Sequence, residues 1–291
     1  MSQPTERPGP TTGATRSAEN SGTELRQRII SALALGVAAL AALLSGPVAF
    51  SLLVAVIGGI MSWEWGRVVR GSDRDVAHFV HCGSVLAAVL LTVFGLTGPA
   101  VVALAIGAFV VGALQVRLRP WLSLAGVFYV GLPAIAFVWL RGDNGHGVAA
   151  VLFVFACVWA HDSFAMLVGK AIGGPRLWPS LSPNKTWSGF AGGLVAAAAA
   201  GAVFAVFLGP PAGVGRLALV GLCLGLAAFA GDMLESALKR RYGLKNASNL
   251  IPGHGGFLDR MDGIVIATIV AVAVALSANF VSPASGLLFL H

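Results

Sequence analysis

Residues 214–238 read Val-Gly-Arg-Leu-Ala-Leu-Val-Gly-Leu-Cys-Leu-Gly-Leu-Ala-Ala-Phe-Ala-Gly-Asp-Met-Leu-Glu-Ser-Ala-Leu. An unbroken apolar run follows Arg216, and two carboxylates, Asp232 and Glu235, close it. A helix that crosses a bilayer takes roughly 20 apolar residues, with a range of about 17–25. The segment therefore reads as a membrane span that ends in acid. Comparable runs occur at residues 29–44, 47–63, 76–96, 99–116, 121–140, 147–167, 187–208 and 263–281. The first two are short and only Ser45 and Gly46 separate them, which is the pattern of a tight helical hairpin.

Composition agrees. Of 291 residues, 57% are hydrophobic and 11% are charged, whereas a soluble domain carries about 25% charged residues. So few charges do not cover a water-facing globule of this size. The predicted fold class is all-α, a polytopic membrane helix bundle with about nine transmembrane helices. Disordered, collagenous and disulfide-scaffold classes are excluded. Cys82, Cys157 and Cys223 lie in apolar runs without CxxC spacing and read as small buried apolar residues. Residues 1–28 are rich in Ser, Thr, Gly and Pro and read as a disordered cytoplasmic tail. Residues 29–291 then form one integral membrane domain. The first apolar run is as long as a span and lacks an A-x-A-like end, so it does not read as a cleaved signal peptide.

Basic residues set the orientation. With the N-terminus inside, 17 of the 19 Lys and Arg residues fall on the inner side, and only Arg141 and Arg216 fall outside. The net charge of +7 is thus spread over short loops. It suits membrane orientation and anionic partners such as lipid headgroups rather than nucleic acid. The two largest inner loops are residues 168–186 and 239–262, where soluble-side chemistry is expected.

The chain has 12 Asp and Glu residues. Six of them (Glu64, Asp162, Asp232, Glu235, Asp259 and Asp262) lie at the inner ends of spans. A charge at membrane depth costs at least about 2.5–3.5 kcal/mol on insertion scales, so such groups face a bundle interior and have partners. On one helix, Asp232, Glu235, Ser236, Lys239 and Arg240 share a stripe at spacings of three and four. Glu235 and Lys239 also suit a plain i,i+4 ion pair. Gly253, Gly255 and Gly256 surround His254 just before the last span. Such a loop lets backbone N–H groups approach a ligand, and a helix start behind it favours an anion. Asp259 and Asp262 share a helix face, with Arg260 beside them. Carboxylates converging from different helices make a hard-cation site, typically Mg²⁺ held together with substrate phosphates.

The other inner loop carries Ser182, Lys185 and Thr186. Lys185 just before a helix N-terminus suits phosphate, though it equally serves as a topology determinant. Thr186 also suits an N-cap. Asp162 adds a carboxylate on the same side. His78, His81, His146, His161 and His291 read as background. On a helix, the side chain of His161 is expected to point about 100° away from that of its neighbour Asp162. The combination of carboxylates, Lys and Arg loops and a Gly-rich turn suits Mg²⁺-dependent transfer on phosphates, with a membrane-soluble partner.

Ser236-Ala-Leu-Lys-Arg, then Lys245, then Pro252-Gly-His-Gly-Gly-Phe-Leu-Asp-Arg-Met-Asp262 resembles the signature of phosphatidate cytidylyltransferases, also called CDP-diacylglycerol synthases. Ser182-Pro-Asn-Lys-Thr-Trp, Asp162-Ser-Phe-Ala, Gly231-Asp232 and the weaker Trp63-Glu64-Trp65 also resemble family segments. Asn246, Ser188 and Met166 depart from the family pattern, the first two where the family commonly has a carboxylate.

The resemblance implies CTP and phosphatidic acid as substrates, CDP-diacylglycerol and pyrophosphate as products, and an active site facing the cytoplasm at a bacterial-type inner membrane. It also implies a possible homodimer. Under it, Asp232 and Asp259 hold Mg²⁺, with Asp262 and Asp162 completing or flanking a site that could take a second cation. Lys239, Arg240 and Arg260 neutralise phosphates. Ser182, Lys185 and Thr186 close over the nucleotide or the lipid phosphate, and Ser236 lies on the same stripe. His254 positions a phosphate, with Gly255 and Gly256 beside it. The alternatives are a catalytically silent homologue, or an ion or solute carrier. A carrier would set ionisable residues near the midplane between inverted repeats. A CDP-alcohol phosphotransferase would need a DGxxAR run, and Asp262-Gly263 is followed by Ile-Val-Ile-Ala instead.

Overall fold

The computed structural model describes residues 31, 33–72, 74–143, 145–251 and 255–289. The expected tail at residues 1–28 and the site residue His254 lie outside the described residues.

Eight helices are long and apolar enough to cross a membrane. A shorter apolar helix, α1 (Leu33–Ser45), precedes them. Next come α2 (Pro47–Trp65), prolonged by a π-helical turn at Gly66–Arg70, α3 (Val76–Val93), α4 (Thr97–Leu114), α5 (Pro120–Gly142) and α6 (Gly147–Ile172). A two-stranded antiparallel hairpin, β1 (Arg176–Trp178) and β2 (Ser182–Thr186), leads into α7 (Trp187–Leu208). Then follow α8 (Val214–Arg241), α9 (Leu258–Ala278) and the short α10 (Pro283–Phe289). The chain is an integral membrane protein of the polytopic all-α class, and the expected tight turn between the first two helices is present at Gly46.

Three helices run further than their hydropathy. The reading ended the sixth span at residue 167 and the eighth at 238, and started the last at 263. The helices instead end at Ile172 and Arg241 and start at Leu258. Hydropathy stops where charges begin, but the backbone ladder does not. Loop 168–186 also holds the small hairpin, which no apolar alternation announced.

Two apolar cores share helices, α5 and α9 among them. The first packs α5, α6, α8, α9 and α10 around Phe153, Leu217 and Leu224, and the second packs α2 to α5 around Val85, Leu104 and Val127. Helix α9 contributes Ala267 and Ala271 to the first and Leu258 and Val265 to the second. Large apolar side chains such as Val102, Phe109, Val206 and Phe207 point outward, as they do when lipid is the solvent. The small-residue run of α7 lets backbones touch: a Cβ at Gly221 of α8 would lie 2.4 Å from the Ala197 carbonyl oxygen. The tightest contact that matters for the site is between α8 and α9. A Cβ at Gly231 would lie 2.2 Å from the carbonyl oxygen of Asp262.

Polar side chains fasten both ends of the bundle. At one end Arg70 Nε donates to Asp75 Oδ2 (3.1 Å), Gln115 Nε2 donates to the same oxygen (3.3 Å), and Arg119 donates to the Val69 carbonyl (2.9 Å). At the other, Arg141 donates twice to the Leu43 carbonyl at the end of α1 (3.0 and 2.8 Å). There Asp143 accepts from Ser282 Oγ (2.5 Å) and from the Ala284 N–H (3.1 Å). Burial alone would raise the Asp143 carboxyl, but these bonds, with those from Gly145 and Ser285, hold it below its ordinary value.

Gly231→Val should disrupt the α8–α9 contact and cost about 1–3 kcal/mol, the usual range for overpacking. It should lower the melting temperature in detergent. Gly215→Val on the same helix, where a Cβ meets nothing within 4 Å, should melt close to the parent.

Candidate active site

The close approach of α8 and α9 puts two acidic helix ends side by side. On α8, Asp232 pairs with the ammonium of Lys185, and Ser236 Oγ lies 3.4 Å from Asp232 Oδ1. Lys185 reaches it from β2, and its Nζ lies 5.0 Å from the centre of the Phe229 ring. One turn along, Lys239 Nζ bridges the two helices, 2.6 Å from Glu235 Oε2 and 2.7 Å from Asp259 Oδ1. The i,i+4 pair expected as the simpler reading is thus present, and Asp259 is drawn into it.

Asp262 is reached by the like charges of Asp232 on α8 and Asp162 on α6. Glu235 lies in the field of Asp262 as well, and Glu235 and Asp259 flank Lys239. Tyr129 of α5 lies in the field of Asp262, Glu235 and Asp232, and its ring packs 5.0 Å from Trp65.

The signature loop is held by two carboxylates. Asp259 Oδ2 accepts from the N–H groups of Ala247 (3.0 Å) and Gly256 (2.7 Å). Glu64, fully buried on α2, accepts from Ser248 Oγ (2.5 Å) and from the N–H groups of Phe257 (3.0 Å) and Leu258 (2.6 Å). A helix start does attract an anion here, as its orphan N–H groups require. The anion is the protein's own Glu64. The glycines serve the same end: a Cβ at Gly256 would lie 2.4 Å from Glu64 Oε1, and one at Gly255, whose φ is +85°, would lie 2.7 Å from Asp259 Oδ2.

The remaining expected residues sort by contact. Thr186 Oγ1 accepts from the Gly189 N–H (3.1 Å), so it caps α7. Ser182 opens β2. Arg240 is exposed and donates to the carbonyls of Leu181 (3.4 Å) and Leu244 (3.3 Å), tying the hairpin to the end of α8. Arg260 is exposed on the first turn of α9. One expectation is overturned. His161 does not point away from its neighbour: Nδ1 lies 3.0 Å from Asp162 Oδ1. Its ring is buried between α6, α7 and α8, where Gly193 and Gly225 leave room, and it bends back to the Asp162 carboxylate.

Among the described residues, no three His, Cys, Asp or Glu side chains form a ready-made metal cage. A Mg²⁺ ion usually takes one or two carboxylates and completes its shell with water and substrate phosphates. Asp232 with Asp262 and Asp162 fit that kind of site by donor chemistry. Asp259 fits less well, because the backbone N–H groups of Ala247 and Gly256 and the Lys239 ammonium already engage its oxygens, whereas Asp232 accepts from the side chains of Lys185 and Ser236, which can turn away.

Comparison with known proteins adds the missing context. The pattern of the "Cytidylyltransferase family" matches residues 26–278. The chain is 38% identical over 266 residues to a phosphatidate cytidylyltransferase of Brucella abortus biovar 1 (strain 9-941), covering 90% of this chain and 96% of that protein. It is 39% identical over 145 residues to a phosphatidate cytidylyltransferase of Bacillus subtilis (strain 168), covering 50% and 54% of the two chains.

The chain belongs to the cytidylyltransferase family.

Two departures from the family pattern now have surroundings. Ser188 Oγ donates to the Gly173 carbonyl and lies 3.0 Å from Thr186 Oγ1, so it holds the turn before α7. Asn246 is exposed, and its Cγ would be 3.4 Å from a Cβ at Gly255. Neither touches Asp232 or Asp262. The residue that sequence reading left without a role in this cytidylyltransferase is Glu64. Its signal was available: a carboxylate near the end of a span requires buried donors.

Glu64→Ala should leave the Phe257 and Leu258 N–H groups and the Ser248 hydroxyl without acceptors. Each buried group left so costs about 1–3 kcal/mol. The variant should melt earlier in detergent, and limited proteolysis should cut within residues 245–251 faster than in the parent.

Proposed function

We propose that this member of the cytidylyltransferase family transfers CMP from CTP to phosphatidic acid with Mg²⁺, giving CDP-diacylglycerol and pyrophosphate. The reaction would take place on the inner, cytoplasmic side of a bacterial plasma membrane. The observation that carries the reading is the Lys185–Asp232 pair at the end of α8, beside the acidic start of α9 that the Gly231–Asp262 approach and the Lys239–Asp259 pair bring against it. The names of the relatives support the substrates, and the count of basic residues supports the orientation.

In this reading a phosphate oxygen of phosphatidic acid attacks the α-phosphorus of CTP. The bond between that phosphorus and the bridging oxygen to the β-phosphate breaks, and pyrophosphate leaves with the electron pair. The attacking oxygen is already ionised at neutral pH, so no strong general base is needed. Lys185 gives up Asp232 and neutralises a phosphate. Arg240 and Arg260 add positive charge at the mouth. Lys239 keeps α8 and α9 together, so that Asp232 and Asp262 hold their spacing. Asp232 and Asp262, with Asp162, would hold the divalent cation, which when bound draws charge from the departing pyrophosphate.

Purified protein in detergent with CTP, phosphatidic acid and Mg²⁺ should form CDP-diacylglycerol and pyrophosphate in equal amounts, and EDTA should stop both. Asp232→Asn should lower turnover by roughly a hundredfold or more, the scale of losing one transition-state contact, without a matching loss of melting temperature. Lys185→Ala should raise the KM for CTP or for the lipid. Absence of product from the parent, or near-normal turnover by Asp232→Asn, would overturn the reading.

A further inference from the structure

A groove runs between α2 and α3 beside the signature loop. It has a volume of about 410 Å³ and is lined by Gly59, Ile60 and Trp63 of α2, His78 and Cys82 of α3, and Leu250 of the loop. A second, smaller cavity of about 190 Å³ is lined by Arg67 and by the loop residues Asn246, Ser248 and Asn249 among others. The Arg67 guanidinium lies 4.9 Å over the Trp63 ring. Ser248 and Asn249 face the second cavity, and Leu250 faces the first.

We propose that this groove seats an acyl chain of the lipid substrate, and that Arg67 at its polar end binds the substrate's phosphate. The proposal rests on the reaction assigned above and adds where the lipid half of it enters.

Three observations choose this occupant. The first is the order of chemistry along α2. Gly59 and Arg67 are eight residues apart, which is about 12 Å at the α-helical rise. Arg67, over the Trp63 ring, thus sets a cation at the end of an apolar trough, as an anionic lipid requires. The second is charge complementarity. Among the described residues, no carboxylate forms an ion pair with Arg67, so its guanidinium keeps its donors for an anion while the Trp63 ring supports it. The third is continuity with the site. The wall segment Ser248–Leu250 belongs to the loop that Glu64 and Asp259 hold in place. A lipid in the groove therefore lies against the same loop that borders the carboxylates. Gly59 lines the groove: a Cβ there would meet Cys82 Sγ at 3.7 Å, ordinary contact, while a longer side chain would enter the slot.

Cys82 gives a readout that needs no turnover. In a protein whose other cysteines are replaced (Cys157→Ser, Cys223→Ser), maleimide labelling of Cys82 is followed in dodecyl maltoside micelles. The micelles contain dioleoyl phosphatidate or dioleoyl phosphatidylcholine at equal mole fraction. Phosphatidate should slow labelling about tenfold more than phosphatidylcholine, the worth of one charge-assisted contact, and Arg67→Gln should remove the difference. Equal protection by the two lipids, or a difference that survives Arg67→Gln, would overturn the proposal. Selective protection in a protein that makes no CDP-lipid would instead overturn the reaction and keep the groove. A kinetic arm separates chain from headgroup. Gly59→Leu should raise the KM for dioleoyl phosphatidate and leave the KM values for dihexanoyl phosphatidate and CTP unchanged. A common rise in all three, or no rise, would count against an acyl subsite.

Discussion

The ion bridge of Lys239 between Glu235 on α8 and Asp259 on α9 is the contact on which the site depends. It forms only because Gly231 lets the two backbones meet at Asp262. Two helix ends that both carry acid would otherwise repel each other in a medium that screens poorly. One ammonium shared between two carboxylates offsets that repulsion where water is scarce.

The acids near the site do two different kinds of work. Glu64 and Asp259 are internal anions. They accept the N–H groups that a loop and a helix start leave unpaired, and they hold Ala247 and the Gly256–Leu258 stretch in place. Asp162, Asp232 and Asp262 have fewer internal donors; the side chain of Asp162 is 56% exposed. In the proposed reaction, carboxylates that the fold does not use up are the ones left for a cation and its phosphates. This division explains why a loop so rich in glycine need not cradle phosphate itself: its Gly255 and Gly256 make room for Asp259 and Glu64.

The bundle was legible because lipid leaves a strong record in sequence: apolar runs of span length, and basic residues sorted to one side. The positions of Asp232, Asp259 and Asp262 were legible for a related reason, since charge beside hydrocarbon needs a purpose. What stayed hidden was partnership. Spacing placed Lys239 one turn from Glu235, but nothing local said that Asp259 would join them from 20 residues away. Glu64 is 194 residues from the Leu258 N–H it accepts, a contact that no periodicity encodes. His161 was misread because helical geometry fixes where a Cβ points, while the rotamer of a buried ring is chosen by its neighbours. The hairpin before α7 was missed because its strands are short and carry little apolar alternation.

The most direct test is the affinity of Mn²⁺, as a spectroscopic substitute for Mg²⁺, read by electron paramagnetic resonance on the purified protein with and without CTP. The account predicts that CTP strengthens Mn²⁺ binding, and that Asp232→Asn weakens the CTP-bound affinity by about tenfold or more, in line with the loss of one charged oxygen ligand. Mn²⁺ binding that is indifferent to CTP, or unchanged in Asp232→Asn, would contradict it.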